Sequence, residues 1–283
     1  MIGVITGSGT KGSPGSPEKT PFGETSGPIT EREVAGQTAL FIERHGREHT
    51  WPAHRVPHKA NIWALYSRGA SAILSVGSVG GIDPSLSPGD YLVLDDLIDL
   101  NPPPTFYDGP DGPMVPDSNN LPSVLINNGV AVHVDFTGPF CHALRGVLLS
   151  VIRDMGLPVR DGGTYIQTHG PRLESAAEIR AFGVLGAHVV GMTMASEATL
   201  ARELGMCFAG LAVVANMAAG IRGARPSGSE VEDAMEGKEK ELAILIEEFI
   251  ARARMEDVKP CNCTSSPFMG IQSKTHRRRF GKG

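Results

Sequence analysis

MIGVITGSGTKGSPGSPEKTPFG, residues 1–23, opens the chain and poses the question on which the fold turns. Gly7, Gly9 and Gly12 stand at G-x-G-x-x-G spacing directly after an apolar run. A dinucleotide-binding fingerprint demands a helix after the glycines, because the helix N–H groups hold the pyrophosphate. It also wants an acidic residue about 20 positions on. Glu31 or Glu33 meets the second demand loosely. The first fails: Pro14, Gly15, Pro17, Pro21 and Gly23 follow, and proline removes donors and clashes with the preceding turn. A short strand, Ile2 to Ile5, therefore runs into a Gly/Ser/Thr-rich loop. Such a loop holds an anion through backbone N–H groups and the Ser8 or Thr10 hydroxyl, or is only a strand-end turn.

Short β-rich runs alternate with helical patterns along the chain. Strands are predicted at Ile2–Ile5, Ala39–Ile42, Ala72–Val76, Tyr91–Leu94, Val130–Val134, Gly163–Thr168, His188–Gly191 and Cys207–Val214. Helices are predicted at Lys59–Arg68, His142–Met155, Leu173–Leu185, Ser196–Leu204 and Glu230–Arg254. The alternation argues for an α/β fold with a mostly parallel or mixed sheet and helices on both faces. No internal repeat and no strong linker interrupts it, so residues 1–255 are expected to form one domain. Residues 101–129, rich in Pro, Gly, Asn and Asp, read as a long surface loop. Residues 256–283, with Arg277, Arg278 and Arg279, read as a disordered basic tail.

At 283 residues, 41% hydrophobic and 20% charged, the chain suits a soluble globule. A net charge of −5 excludes an obvious nucleic-acid-binding body. No apolar run is long enough for a membrane span, and the opening residues lack a basic-then-apolar signal. Cys141 and Cys207 sit in apolar stretches and read as buried thiols. Cys261 and Cys263 form C-x-C, without redox or zinc spacing and without a second ligand pair after them. A cytoplasmic setting without a disulfide framework is expected.

Four clusters carry the chemistry. In IERHGREHTWPAHRV, residues 42–56, Arg44, His45, Arg47, His49, His54 and Arg55 crowd the end of a strand. Ligands gather at strand carboxyl ends, and arginine offers a fork of donors for phosphate. The histidines lack the H-E-x-x-H setting and Pro52 divides them, so no metal is expected. In SVGSVGGIDPSLSPGD, residues 75–90, a second strand ends in glycines and Ser78, letting a ligand approach the backbone. In THGPRLESAAEIR, residues 168–180, Glu174 stands at a helix start, where the macrodipole alone would favour it. Finally GMTMASEATLARELG leads into CFAGLAVVANMAAG, in which Asn216 follows a long apolar strand. It is either a turn former or a group awaiting a ligand.

Taken together, GVITGSGT, TPFG, RHGREH, ANIWAL, SVGGIDPSLSPGD, HGPRLES, GMTMASEATLARELG and VVANMAAG resemble the trimeric-type purine nucleoside phosphorylases. Within them they are most similar to the methylthioadenosine/methylthioinosine phosphorylase branch. The resemblance spans residue 2 to about residue 250 in family order. It implies a single α/β domain of nucleoside phosphorylase type, with a twisted, distorted barrel-like mixed β-sheet flanked by helices. It implies a homotrimer or a dimer of trimers. The implied reaction is reversible phosphorolysis of a purine nucleoside, with inorganic phosphate as co-substrate and no cofactor. By matching position, phosphate would be held by Ser8, Arg44, His45, the Ser78 backbone N–H and the Thr193 hydroxyl. Met192 would pack on the ribose. His133 would reach the sugar's 5′ end in a neighbouring subunit's site. Glu174 and Asn216 would bind the base and stabilise it as it leaves. That pair resembles enzymes of 6-oxopurines, whose N1–H donor a carboxylate accepts.

The chain also departs from the family. The stretch between the first loop and TPFG is short, Ala215 replaces a common Thr, and Ser196 replaces a common Pro. Gly228, Val231, Glu232 and Met235 fall near the family's 5′-substituent pocket and weaken the methylthio assignment. The expected substrate is inosine, guanosine or 5′-methylthioinosine. The alternatives are a 5′-methylthioadenosine phosphorylase and a non-catalytic nucleoside- or phosphate-binding relative.

Overall fold

The computed structural model describes residues 1–7, 15–107, 132–227, 237–254, 261–265 and 267–269. Strand β1 (Ile2–Thr6) is buried along its whole length, as a strand covered on both faces must be. A small hairpin, β2 (Lys19–Thr20) and β3 (Gly23–Glu24), leads to β4 (Thr30–Val34) and β5 (Gln37–Glu43). Helix α1 (His58–Ser67) precedes β6 (Ala72–Gly81), followed by β7 (Tyr91–Val93), β8 (Asp96–Asp99) and β9 (Val132–Val134). Then come α2 (His142–Asp154), β10 (Val159–Asp161), β11 (Thr164–Gln167), α3 (Ala176–Val184) and β12 (Val189–Gly191). Helix α4 (Met194–Glu203), β13 (Cys207–Met217), α5 (Glu239–Arg252) and β14 (Pro267–Met269) complete the order.

The main sheet runs β10-β7-β13-β6-β1-β5-β4, with β8, β11 and β12 branching from it. β6 is the hub. Along one edge it pairs in parallel with β13 from Ala72 to Gly81. Along the other, Ala72–Ser75 pair with β1 and Gly80–Gly81 pair antiparallel with β12. Between these partners lies a short unpaired gap. The sheet branches there, and the whole is a single α/β domain with a large mixed sheet, as expected.

The two faces follow from period-2 alternation. Ile2, Val4, Leu74 and Val76 pack with Leu144 and Leu148 of α2 and Leu245 and Phe249 of α5. Ile5, Leu40, Ile42 and Ile73 pack with Ile62 and Leu65 of α1 and Ala198 and Leu200 of α4. Among the described residues no helix is long and apolar enough to cross a membrane.

Three strands of the main sheet absent from the sequence reading, β4, β8 and β10, are short and polar: TEREV, DLID and VRD. β4 and β10 end the main sheet path and β8 ends its branch, so none buries the apolar row that marks a central strand. Helix α3 begins at Ala176 and not at Leu173, because Ser175 and Glu178 form a capping box. Of the predicted helix at 230–254, residues 239–252 are helical, and residues 230–236 lie outside the described residues. Part of the segment read as a disordered tail is placed on the body. Cys263–Ser265 form a 3₁₀ turn, and β14 pairs antiparallel with β9. Arg277, Arg278 and Arg279 lie outside the described residues.

Candidate active site

Four parallel strands end on one cavity. Gly7 follows β1, Arg44 and His45 follow β5, Gly77–Gly80 close β6 and Asn216 closes β13; all of them line it. Glu174, Met192 and Thr193 enter from the loops before α3 and α4. Thus Arg44, His45, Ser78, Glu174, Met192, Thr193 and Asn216 share a single cavity. Ser8 lies outside the described residues. His133 is exposed on β9 and is not among the residues lining its own chain's cavity.

The gap in the β6 edge explains the anion end. Val76 carbonyl oxygen accepts from Arg44 Nη1 at 3.0 Å instead of from a strand. Peptide groups alternate edges along a strand, so Ser78 N–H, two residues on, opens onto the same side. Arg44 itself is fully buried. Its Nε donates to Glu197 Oε1 at 2.5 Å, and its Nη2 donates to Glu197 Oε2 at 3.0 Å and Ser75 Oγ at 2.8 Å. Ser75 passes its own proton to Glu197 Oε2 at 2.6 Å. A guanidinium has five donors. The remaining Nη1 proton belongs to the nitrogen that lies against Gly7 and Gly77, where ideal Cβ atoms would fall 2.8 and 3.6 Å away.

Burial works against the Arg44 charge, but Glu197 overcomes it and holds the guanidinium above its usual pKa. Burial likewise opposes ionisation of Glu197, and Arg44 reverses it, keeping the carboxyl below its usual range. His58 Nδ1 stands 3.8 Å from Glu197 Oε1, beyond hydrogen-bonding range, and has no partner among the described residues. Burial first, and Arg44 beyond it, lower the His58 pKa to about 4 against the pull of Glu197.

His45 is also neutral at pH 7. Burial, then the adjacent Arg44 charge, brings its pKa to about 4. Its Nδ1 lies 2.8 Å from Trp51 carbonyl oxygen. A carbonyl only accepts, so Nδ1 carries the proton and Nε2 is left as an acceptor. Such a nitrogen can accept a hydrogen bond from a hydroxyl.

The start of α4 contributes less than helix N-termini usually do. Its orphan N–H groups are already used. Thr193 N–H and Met194 N–H donate to Tyr165 Oη at 3.1 and 3.3 Å. Ala195 N–H and Ser196 N–H donate to Gln167 Oε1 at 2.9 and 3.2 Å. Gln167 Nε2 then donates to Ser196 Oγ at 2.7 Å, which gives the serine at 196 a definite task. What Thr193 can offer an anion is therefore its hydroxyl, not a row of free helix donors. Burial raises the Tyr165 pKa to about 12, so the phenol stays protonated.

Glu174 departs from its expected position. It lies before the cap of α3, in the loop, and the first-turn acid is Glu178. Its Oε1 accepts from Thr168 Oγ1 at 2.5 Å. Asn216 departs too, lying within β13 and not in a turn beyond it. A register shift between Val214 and Asn216 skips Ala215, so Asn216 pairs with Gly80. The bulge gives Asn216 the face that Ala215 would otherwise hold. Met192 packs on Gly170, where an ideal Cβ would lie 2.6 Å from its sulfur.

Sequence reasoning missed Tyr165, Gln167, Ser75, His58 and Glu197. All sit inside apolar elements. The only trace is a polar residue where the pattern wants an apolar one, as with Glu197 in MASEATLARE. It also set aside Cys261 and Cys263 for want of a second pair. The fold supplies that pair: Cys141 and Cys207 meet them, with all four sulfurs within 4.8 Å of one another. Sequence spacing could not reveal it, because the strand order brings remote segments together.

An open mixed α/β sheet whose parallel strands deliver a paired arginine, a backbone donor and two polar side chains to one cavity has the donors and acceptors for an anion beside a second polar ligand. The chain belongs to the phosphorylase superfamily, whose sequence profile matches residues 1–251. It is 41% identical over 252 residues to the 6-oxopurine nucleoside phosphorylase of Pyrococcus furiosus, covering 87% of this chain and 90% of that one. It is 35% identical over 269 residues to the S-methyl-5'-thioadenosine phosphorylase of Pyrococcus abyssi, covering 93% and 95%. It is 36% identical over 269 residues to a probable S-methyl-5'-thioinosine phosphorylase of Thermodesulfovibrio yellowstonii, covering 93% and 94%. The fold matches an adenosine/methylthioadenosine phosphorylase of Schistosoma mansoni with a TM-score of 0.77 at 24% identity, covering 91% and 93%.

Proposed function

We propose that this chain catalyses phosphorolysis of purine nucleosides with a 6-oxopurine base, yielding free base and a ribose 1-phosphate or its 5-methylthio form. The observation that carries the reading is the presence of Glu174 and Asn216 in the cavity that also holds Arg44, His45, Ser78 and Thr193. Relatives named for 6-oxopurine nucleosides support it.

The residues act as follows. Phosphate lies against Gly7, Ser78 N–H, the last Nη1 proton of Arg44 and the Thr193 hydroxyl, with its own hydroxyl donated to His45 Nε2. Ser8 lies outside the described residues and enters this reading only through the sequence resemblance. Met192 packs on the ribose. As the C1′–N9 bond breaks, positive charge grows on the sugar and the phosphate dianion stabilises it. A phosphate oxygen then bonds to C1′, and the electron pair of the broken bond leaves with the purine. The Glu174 carboxylate accepts the base N1–H. The Asn216 amide donates to O6, and its Oδ1 accepts from N7–H once N7 of the departing purine anion has taken a proton from water. The protein supplies position and placed charge. Inorganic phosphate is the co-substrate, and neither metal nor organic cofactor takes part.

The assembly in this reading is a trimer or a dimer of trimers. The exposed position of His133, away from its own cavity, suits a role at a neighbouring subunit's sugar. A cytoplasmic location belongs to the same reading.

The test is base release by chromatography from inosine, guanosine, 5′-methylthioinosine, adenosine and 5′-methylthioadenosine, each with and without phosphate. Phosphate-dependent release from the oxo substrates alone is expected. Release from the adenine compounds would replace this reading with a methylthioadenosine phosphorylase. Binding without release from any would mark a non-catalytic relative.

A further inference from the structure

Cys141 caps the start of α2, and its N–H donates to Phe208 carbonyl oxygen at 2.7 Å. That bond ties it beside Cys207, the first residue of β13. Cys261 and Cys263 come from the C-terminal segment, which lies over the turn between α4 and β13. Gly205 in that turn has φ +69°, and an ideal Cβ on it would lie 3.3 Å from Thr264 carbonyl oxygen. Three of the four thiols are buried and none is in a disulfide. Cys207 and Cys261 sulfurs are 3.3 Å apart, and all four sulfurs lie within 4.8 Å. A tetrahedral zinc tetrathiolate, with Zn–S near 2.3 Å, places its sulfurs ~3.8 Å from one another. The cluster has that size.

We infer that Cys141, Cys207, Cys261 and Cys263 form a structural zinc site that clips the C-terminal segment to the body. A second observation supports a charged centre there. Arg202 is only 4% exposed, and its Nε has no hydrogen-bond partner among the described residues. Its Nη2 reaches only the Asp135 carbonyl oxygen, at 3.3 Å. The exposed Asp135 carboxylate, which also feels Arg202, is turned to Thr137 N–H. The Arg202 charge acts on Cys263. Buried charges are paired as a rule. Four thiolates and one zinc ion carry a net charge of −2, which two disulfides would not supply. The four sulfurs belong to free thiols. Zinc binding displaces their protons. The clip lies next to β14, just beyond Cys263, which pairs with β9 at Phe268 and His133.

The test uses the full chain, purified under reducing conditions without added metal. Elemental analysis is expected to find one zinc per chain, released in step with titration of the cysteines by a mercurial. Cobalt exchanged anaerobically is expected to show thiolate charge-transfer and tetrahedral d–d absorption. The double variant Cys261→Ser/Cys263→Ser, which alters only the C-terminal segment, is expected to lose the metal and keep its far-UV circular dichroism. Metal-free protein with reactive thiols and no cobalt spectrum would overturn the site. So would cysteine peptides cross-linked in the native protein, or zinc retained by the double variant. Because the wild-type readings stand alone, a variant that failed to fold would not shield the inference.

Discussion

Arg44 and Glu197 meet in a two-pronged ion pair, Nε to Oε1 at 2.5 Å and Nη2 to Oε2 at 3.0 Å, with both side chains 2% exposed. The pair joins the end of β5 to the first turns of α4, 153 residues apart. It is first a structural statement. Removing one partner of a buried pair leaves an uncompensated charge and costs about 3–5 kcal/mol. Glu197→Ala is therefore expected to lower the urea midpoint sharply. Glu197→Gln, which keeps the shape and one acceptor, should lose less. Equal midpoints for wild type and Glu197→Ala would contradict the arrangement.

In the proposed function Glu174 carries the choice of base. Glu174→Ala is expected to lower turnover of inosine about 10²–10³-fold, the usual cost of losing a placed group, while the KM for phosphate stays near its original value. Thr168 orients the Glu174 carboxylate through its hydroxyl, so Thr168→Val should show the same split, smaller in size. Steady-state kinetics with each substrate varied in turn would check both. A parallel rise in the phosphate KM would remove Glu174 from the base pocket.

Acid should destabilise the protein through two histidines. His45 and His58 have folded pKa values of about 4 against an ordinary 6.5. Between those values the unfolded chain binds more protons than the folded one, so stability rises with pH across the window. It is fully present above about 6.5 and is lost as pH falls toward about 4. His58→Gln should flatten the slope of urea midpoint against pH in that window. An unchanged slope would show that His58 is not held neutral.

Tyr165 sets the start of α4. Tyr165→Phe removes the acceptor used by Thr193 N–H and Met194 N–H. Leaving a buried donor unpaired costs about 1–3 kcal/mol. Lower thermal stability is expected, together with a higher phosphate KM, because Thr193 loses its anchor. A variant with wild-type values for both would refute the role.

These residues show what a linear reading reaches. Ser78 and Asn216 stand out because each is polar at the end of a long apolar run, and such ends gather at one edge of an open sheet. Their exact presentation was hidden. The unpaired β6 edge depends on where β1 stops and β12 begins, and the Asn216 bulge depends on pairing with β6. Tyr165 and Gln167 look like ordinary members of a buried strand, and only the docking of α4 turns them into caps. Glu174 was found, but its capping neighbour Ser175 moved it out of the helix. The cysteine cluster needs segments more than a hundred residues apart to meet, so no local spacing announces it.

Gly7 offers the sharpest test of the anion end. An alanine Cβ there would lie 2.8 Å from Arg44 Nη1. Arg44 cannot yield easily, because Glu197, Ser75 and Val76 hold its other donors. The methyl group would therefore cover the one guanidinium proton left for a ligand. The Gly7 backbone is not in the left-handed region, so alanine brings no conformational strain of its own. Gly7→Ala is expected to raise the phosphate KM strongly and, through its contact with the held guanidinium, to lower the urea midpoint somewhat, while the KM for inosine changes little. A fall in stability with unchanged phosphate KM would mean that Arg44 serves the fold alone. A wild-type phosphate KM in a fully stable variant would place the anion elsewhere in the cavity, toward Ser78 and Thr193.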